Sequence, residues 1–146
     1  MTGWGAGSLL AISIWFASPS PLFAQAFVAD QMVVSLSGHP GDVKRGRALV
    51  VSRQDGLCIL CHSGPFPEER FQGTLAPDLA ASAAQLSSVQ LRARIVDASM
   101  FNPDTIMPSY FRTDGLTRVA PQFAGKTILT AQEIEDVVAF LVSLKP

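Results

Sequence analysis

The most regular hydrophobic pattern lies near the C-terminus, where Ile134, Val137, Val138 and Leu141 recur at i, i+3, i+4 and i+7, the spacing of one helix face. Thr130-Ala131-Gln132-Glu133 precedes them as a capping box: the threonine hydroxyl and the glutamate carboxylate each take an N–H that the first turn leaves unpaired. Glu133, Glu135 and Asp136 suit the positive end of that helix dipole, and Lys145 lies near the negative end. A second helix is predicted from about Ser87 to Ala98. Ser87 and Gln90 stand at capping-box spacing there, Leu91 and Ile95 face inward, and Pro103 marks the far limit. A third begins at Gly41-Asp42, with Val43, Gly46, Leu49 and Val50 near helical spacing, and fades around residues 53–56. Residues 63–76 (SGPFPEERFQGTLA) read as a shaped loop. No strand of convincing length follows Asp42 and no internal repeat is visible, so the expected class is all-α, a few helices joined by long loops.

The N-terminal pattern is different. The first charged residue is Asp30, and residues 9–17 (LLAISIWFA) form an apolar run of signal-peptide length. Ser18-Pro19-Ser20-Pro21 and then Ala24-Gln25-Ala26, a small-x-small site, follow it. Residues 1–26 therefore read as a secretory leader removed after Ala26, residues 27–41 as an N-terminal extension, and residues 42–146 as the domain proper. An uncleaved membrane anchor is the poorer reading, because spanning needs ~20 apolar residues and prolines close this run early.

Composition narrows the class further. The 146 residues are 48% hydrophobic and 16% charged, enough for a packed core. Eleven Lys+Arg against twelve Asp+Glu leave a formal charge of −1, without the basic excess that a general nucleic-acid binder needs. Ten Pro and eleven Gly fit long shaped loops, and two cysteines are too few for a disulfide scaffold.

The candidate chemistry sits in Cys58-Ile59-Leu60-Cys61-His62, the C-x-x-C-H pattern of c-type haem attachment. Two thiols one turn apart reach the two vinyl groups of a haem as thioethers, and the adjacent imidazole points at the iron. Three other readings compete. A structural zinc site needs four ligands, yet the only other histidine is His39. A thioredoxin-like pair calls for a preceding strand, and a plain disulfide between Cys58 and Cys61 suits an oxidising compartment. For the sixth iron position the pattern favours Met107, in a loop stiffened by Pro103 and Pro108, over Met1 and Met32 outside the domain proper and over Met100, a helix-end residue expected in the core. Pro77 follows the motif at a distance that either brings its carbonyl to the Nδ1–H of His62 or makes it an ordinary loop proline; spacing alone does not choose. A thioether donor raises the reduction potential relative to bis-histidine ligation and closes the iron to small ligands.

Cys58–His62, the loop Pro77-Asp78-Leu79, the Met107-Pro108 pair and the final helix together resemble a class I cytochrome c domain. More narrowly, residues 41–144 resemble SoxX, the small monohaem subunit of SoxAX complexes. The runs that carry the resemblance are residues 91–97 (LRARIVD), 102–110 (NPDTIMPSY), 118–120 (RVA) and 125–139 (GKTILTAQEIEDVVA). The resemblance implies a periplasmic protein in which Cys58 and Cys61 attach one haem c, while His62 and Met107 ligate its iron. It also implies a SoxA partner carrying the catalytic haem, conjugation of thiosulfate to a SoxYZ carrier cysteine by the complex (an L-cysteine S-thiosulfotransferase), and electron delivery to a soluble cytochrome c. A free-standing periplasmic electron carrier is the alternative, and a haem sensor with an exchangeable sixth position a weaker one. The chain has no third cysteine, no paired carboxylates placed for acid–base work and no Ser/His/Asp set, so alone it is expected to do no substrate chemistry. Phe66, Phe71, Tyr110, Phe111 and Phe123 are expected near the haem crevice, and part of residues 112–126 to contact SoxA.

Overall fold

The computed structural model describes Met1 and residues 27–28, 31–32 and 34–146. The expected leader and its cleavage point lie outside the described residues. The chain opens with a short antiparallel pair, β1 (Phe27–Val28) and β2 (Gln31–Met32), in register Phe27 to Met32. Four helices follow: α1 (Val43–Val51), α2 (Leu79–Gln85), α3 (Ser88–Asp97) and α4 (Ala131–Ser143). Three single 3-10 turns, Cys58–Leu60, Ala98–Met100 and Pro121–Phe123, punctuate the loops between them.

The caps act as their sequences require. Asp42 accepts the Arg45 N–H at 2.8 Å and starts α1. Ser87 with Gln90 and Thr130 with Glu133 form complete capping boxes on α3 and α4. Helix α1 stops at Val51 rather than near residues 53–56, because Ser52 turns to an extended conformation and its N–H closes on the carbonyls of Ala48 and Leu49. Helix α2 is an addition to the sequence reading, which took residues 77–79 as loop. Asp78 caps it, accepting from the amides of Ala80 and Ala81 at 2.9 and 3.1 Å. With only seven residues, and Leu79 and Ala83 as its whole inward face, its pattern is too short to stand out in the sequence.

Helices α1 and α4 cross at very close range. A Cβ on Gly46 would stand 1.9 Å from the Asp136 carbonyl oxygen and 2.9 Å from Phe140 Cβ, so only hydrogen fits. A mid-helix glycine costs ~1 kcal/mol against alanine, and the backbone approach it permits offsets that cost. Around the crossing, Val50, Ile134, Val137 and Phe140 are all buried.

Charge completes the scaffold in a way the dipole argument missed. Glu135 and Asp136 are 5% and 2% exposed, so they do not simply complement the helix end. They lie at the margins of the inward stripe, within reach of neighbouring elements. Glu135 receives a two-pronged bond from Arg92 at 2.8 and 2.9 Å and the Leu36 amide at 2.9 Å, while Arg92 also donates to the Met32 carbonyl at 2.9 Å. Asp136 accepts from the Asp42 amide at 2.7 Å and from Arg45 at 2.7 and 2.9 Å. Burial by itself would raise the Asp136 pKa, but the hydrogen bonds from Arg45 and the Asp42 amide outweigh it and hold the carboxyl below its usual range. Lys145, placed by its position near the dipole's negative end, donates to the Leu86 carbonyl at 2.8 Å and so ties α4 to the end of α2.

Two methionine expectations are reversed. Met32 is not outside the packed domain: it is 2% exposed and belongs to the core under α3. Met100 is 56% exposed, because the 3-10 turn at Ala98–Met100 swings it off the inward face of α3.

Candidate functional site

The attachment motif begins one turn beyond α1. The Leu57 amide donates to the Ser52 carbonyl at 2.9 Å, and Leu57 itself adopts φ +62°, the left-handed region that a leucine rarely enters. The chain then winds into the 3-10 turn Cys58–Leu60, closed by the Cys61 and His62 amides on the Cys58 carbonyl at 3.1 and 2.9 Å. This winding puts Cys58, Cys61 and His62 into the wall of one cavity of about 730 Å³. Both cysteines are free thiols. Burial pushes the Cys58 thiol up to about 11, only partly offset by its hydrogen-bond contact with Tyr110.

His62 Nδ1 stands 2.6 Å from the Pro77 carbonyl oxygen. A carbonyl only accepts, so Nδ1 carries the proton and the lone pair is left on Nε2. The segment that supplies the carbonyl is itself pinned to the motif. The Ala76 amide donates to the Cys61 carbonyl at 3.0 Å, the Leu79 amide to the Ser63 carbonyl at 2.8 Å, and the Ser63 hydroxyl to Asp78 at 3.0 Å. The amides of Ala81 and Ala80 and the Ser63 hydroxyl hold the Asp78 carboxyl below the usual range.

Met107 lines the same cavity, half-buried, as do Pro108 and Tyr110. Its amide donates to Thr105 Oγ1 at 3.2 Å. Beyond it the loop is anchored: the Ser109 hydroxyl donates to Asp97 at 2.5 Å, and the Tyr110 and Phe111 amides to the Ile95 and Val96 carbonyls at 3.2 and 3.3 Å. Burial works against the Asp97 charge, but the hydroxyls of Ser109 and Ser99 and the Arg112 guanidinium at 3.0 Å win and lower its pKa. The remaining wall is mainly hydrocarbon from the helices, including Val50, Leu79, Leu91, Ile95, Val137 and Leu141.

The aromatic residues divide differently from the sequence expectation. Of the five expected at the crevice, Tyr110 alone lines the cavity. Phe66 is buried elsewhere, its ring 6.0 Å from that of Phe140 with the Arg47 guanidinium 5.6 Å above it, so it braces the loop against α4. Phe71 is 80% exposed. Phe111 packs against the core outside the cavity, and Phe123 lies half-buried in the 3-10 turn Pro121–Phe123. Phe101 and Arg94, which the sequence reading did not single out, do line the cavity, with the Arg94 guanidinium 5.0 Å from the Phe101 ring centre. Their signal was present: Arg94 falls at i+3 from Leu91, on the edge of the inward stripe of α3.

The cavity's size lies within the ~300–1,000 Å³ of cofactor sites. Two thiols one turn apart, an imidazole with Nε2 as its free lone pair, a thioether, apolar walls and one lining arginine form a donor set that fits a covalently attached haem. The competing readings fit less well. Among the described residues no group of three or more His, Cys, Asp or Glu is arranged to hold a metal ion, and His39 lines a separate open depression beside Arg92 and Glu135. A thioredoxin-like motif would follow a strand, whereas this one follows α1.

Four helices wrapped on an apolar slot, with C-x-x-C-H in its wall, define a class I cytochrome c-like domain. No protein-family model and no curated protein matches the chain. Among solved structures it is similar to a chain of SoxXA from P. pantotrophus, at 37% identity and a TM-score of 0.74, covering 82% of this chain and 93% of that one. The chain belongs to the SoxX family of SoxAX cytochrome subunits.

Proposed function

We propose that this chain is the electron-transfer subunit of a periplasmic SoxAX complex, exported by a leader over residues 1–26, with an extension over residues 27–41 and a cytochrome domain over residues 42–146. Cys58 and Cys61 would hold one haem c as thioethers, and His62 and Met107 would donate to its iron. The single observation that carries this reading is that Cys58, Cys61, His62 and Met107 all line one apolar cavity of cofactor size.

The bound haem supplies a one-electron couple. The chain's own residues tune and shelter it. Pro77 fixes the imidazole tautomer and increases its basicity as a ligand. Met107 adds a soft thioether that favours the ferrous state. The hydrocarbon walls exclude water, and Arg94 offers a positive charge for the porphyrin's carboxylates. Leu60, Leu75 and Ile106 line the cavity yet are 44%, 73% and 73% exposed, which leaves an apolar rim where a redox partner can approach. In that role the chain would take up, one at a time, the electrons released as thiosulfate is conjugated to the SoxYZ carrier cysteine, from a SoxA-type haem, and would pass them to a soluble cytochrome c. Residues 112–126 supply part of the SoxA contact.

Expression with haem maturation, followed by mass measurement, a spectrum and a pull-down from the native periplasm, tests the reading. A covalent haem adduct that copurifies with a larger haem protein is expected. An adduct that always returns alone favours a free-standing carrier, and thiosulfate conjugation by the isolated chain overturns the non-catalytic role. Truncating residues 112–126 with haem intact is expected to weaken the association.

A further inference from the structure

Tyr110 is the one tyrosine of the chain, 3% exposed, with its ring in the cavity wall. Its backbone is fixed on both sides: its amide donates to the Ile95 carbonyl at 3.2 Å, and its carbonyl accepts the Ile128 and Leu129 amides at 3.0 and 3.2 Å. From that base the hydroxyl reaches the other side of the sequence and donates to the Gly56 carbonyl at 2.7 Å. The accepting carbonyl occupies a special place. It belongs to the peptide just before Leu57, whose φ of +62° is strained for a leucine. The Cys58 sulfur stands 3.3 Å from it, a contact in which the thiol donates only before haem is attached, and the Tyr110 oxygen stands 3.9 Å from that sulfur. Gly56 cannot yield toward α1, since a Cβ there would lie 2.2 Å from the Leu49 carbonyl oxygen.

We propose that Tyr110 is a positioning residue: its hydroxyl locks the left-handed turn that aims Cys58 into the cavity to the loop that carries Met107. The inference rests on the haem-ligand reading above. The hydroxyl then acts on the iron only through Gly56 and the backbone of its own loop, by keeping the attachment turn and the thioether in a fixed relation.

The test is imidazole binding to the ferric, haem-loaded protein, in which imidazole competes with the methionine. Tyr110→Phe keeps the ring and removes the bond. We expect imidazole to bind about tenfold tighter, the equivalent of one ordinary hydrogen bond lost from the competing state. Leu57→Gly in that background removes the strain that the bond restrains, and should bring the affinity back toward that of the unaltered protein. Asp42→Ala, which deletes the cap at the end of α1 opposite the turn, should lower resistance to denaturant without moving the imidazole affinity. Replacing the single tyrosine by fluorotyrosine, a stronger donor of the same shape, should weaken imidazole binding and needs no change of fold. Unchanged affinity in Tyr110→Phe and in the fluorotyrosine protein, beside tighter binding in Met107→Ala, overturns the proposal and leaves the ligand reading standing. A shift in Asp42→Ala equal to that in Tyr110→Phe overturns it as a mere stability effect. No shift even in Met107→Ala removes the ligand reading, and the proposal with it.

Discussion

The His62 imidazole is held by the Pro77 carbonyl at 2.6 Å, and the segment around that carbonyl returns to the attachment motif through Ala76–Cys61, Leu79–Ser63 and Ser63–Asp78 bonds. Met107, in the same cavity, rests on bonds within its own loop, from the Met107 amide to Thr105 and from the Thr105 amide to Asn102 at 3.2 and 3.1 Å. The chain around Met107 becomes firmly tied only at Ser109 and Tyr110. Ile106, its neighbour, is 73% exposed. The contrast teaches where each donor gets its precision. The imidazole side is a cross-linked wall, whereas the thioether side is a span held by its ends; on the proposed ligation, Met107 is the donor expected to be displaced first.

Replacing both Cys58 and Cys61 by serine has the largest expected effect, because it removes the base that the two walls share. The exported chain should lack the mass of a covalent haem, and an adduct surviving in the double variant would end the attachment reading. Met107→Ala comes next. It should leave the haem attached, open the iron to carbon monoxide in the ferrous form and lower the reduction potential, all readable in one spectroelectrochemical titration. Smaller effects separate the walls directly. Asp78→Ala deletes the cap of α2 and the link to Ser63, and should cost about 1–2 kcal/mol in denaturant melts. Thr105→Ala, on the other wall, should cost less than about 0.5 kcal/mol. Amide exchange ought to follow the same order, with Gly73, Ala76 and Leu79 protected and Met107 exchanging sooner; the reverse order would remove the contrast.

Acid should act on both walls at once. Asp78, Asp97 and Asp136 are each held below the ordinary carboxylate value in the folded chain. Their stabilisation is therefore present above the unfolded value of ~4 and is lost as pH falls from there through the lowered native values. Asp97→Asn should flatten part of that acid limb in melts measured from pH ~5 downward; an unchanged limb would show that this carboxylate carries none of it.

Much of this molecule was legible in residue order because its determinants are local. Thr130, Ser87 and Asp42 cap helices through contacts three residues long, and the stripe of α4 declares its buried face by spacing alone. The C-x-x-C-H turn is equally local, since one turn of chain brings thiols and imidazole together. Helix α2 is not legible in residue order because seven residues with a single large apolar side chain, Leu79, look like the loop they leave. The burial of Met32 is not legible in residue order because it comes from packing of β2 on α3, whose Arg92, sixty positions on, also takes the Met32 carbonyl.

What the sequence by itself determined is the chemistry on offer: paired thiols, an adjacent imidazole, a proline-flanked thioether and three capped helices to hold them. Tertiary structure decided which of these meet. The close approaches at Gly41 and Gly46 bring α4 onto α1, and only the folded chain sends Glu135 and Asp136 inward to arginines on other elements. The reason is physical: spacing along a chain encodes contacts within a turn or two, whereas a carbonyl such as that of Gly56 acquires its tyrosine 54 residues away only when the core has closed.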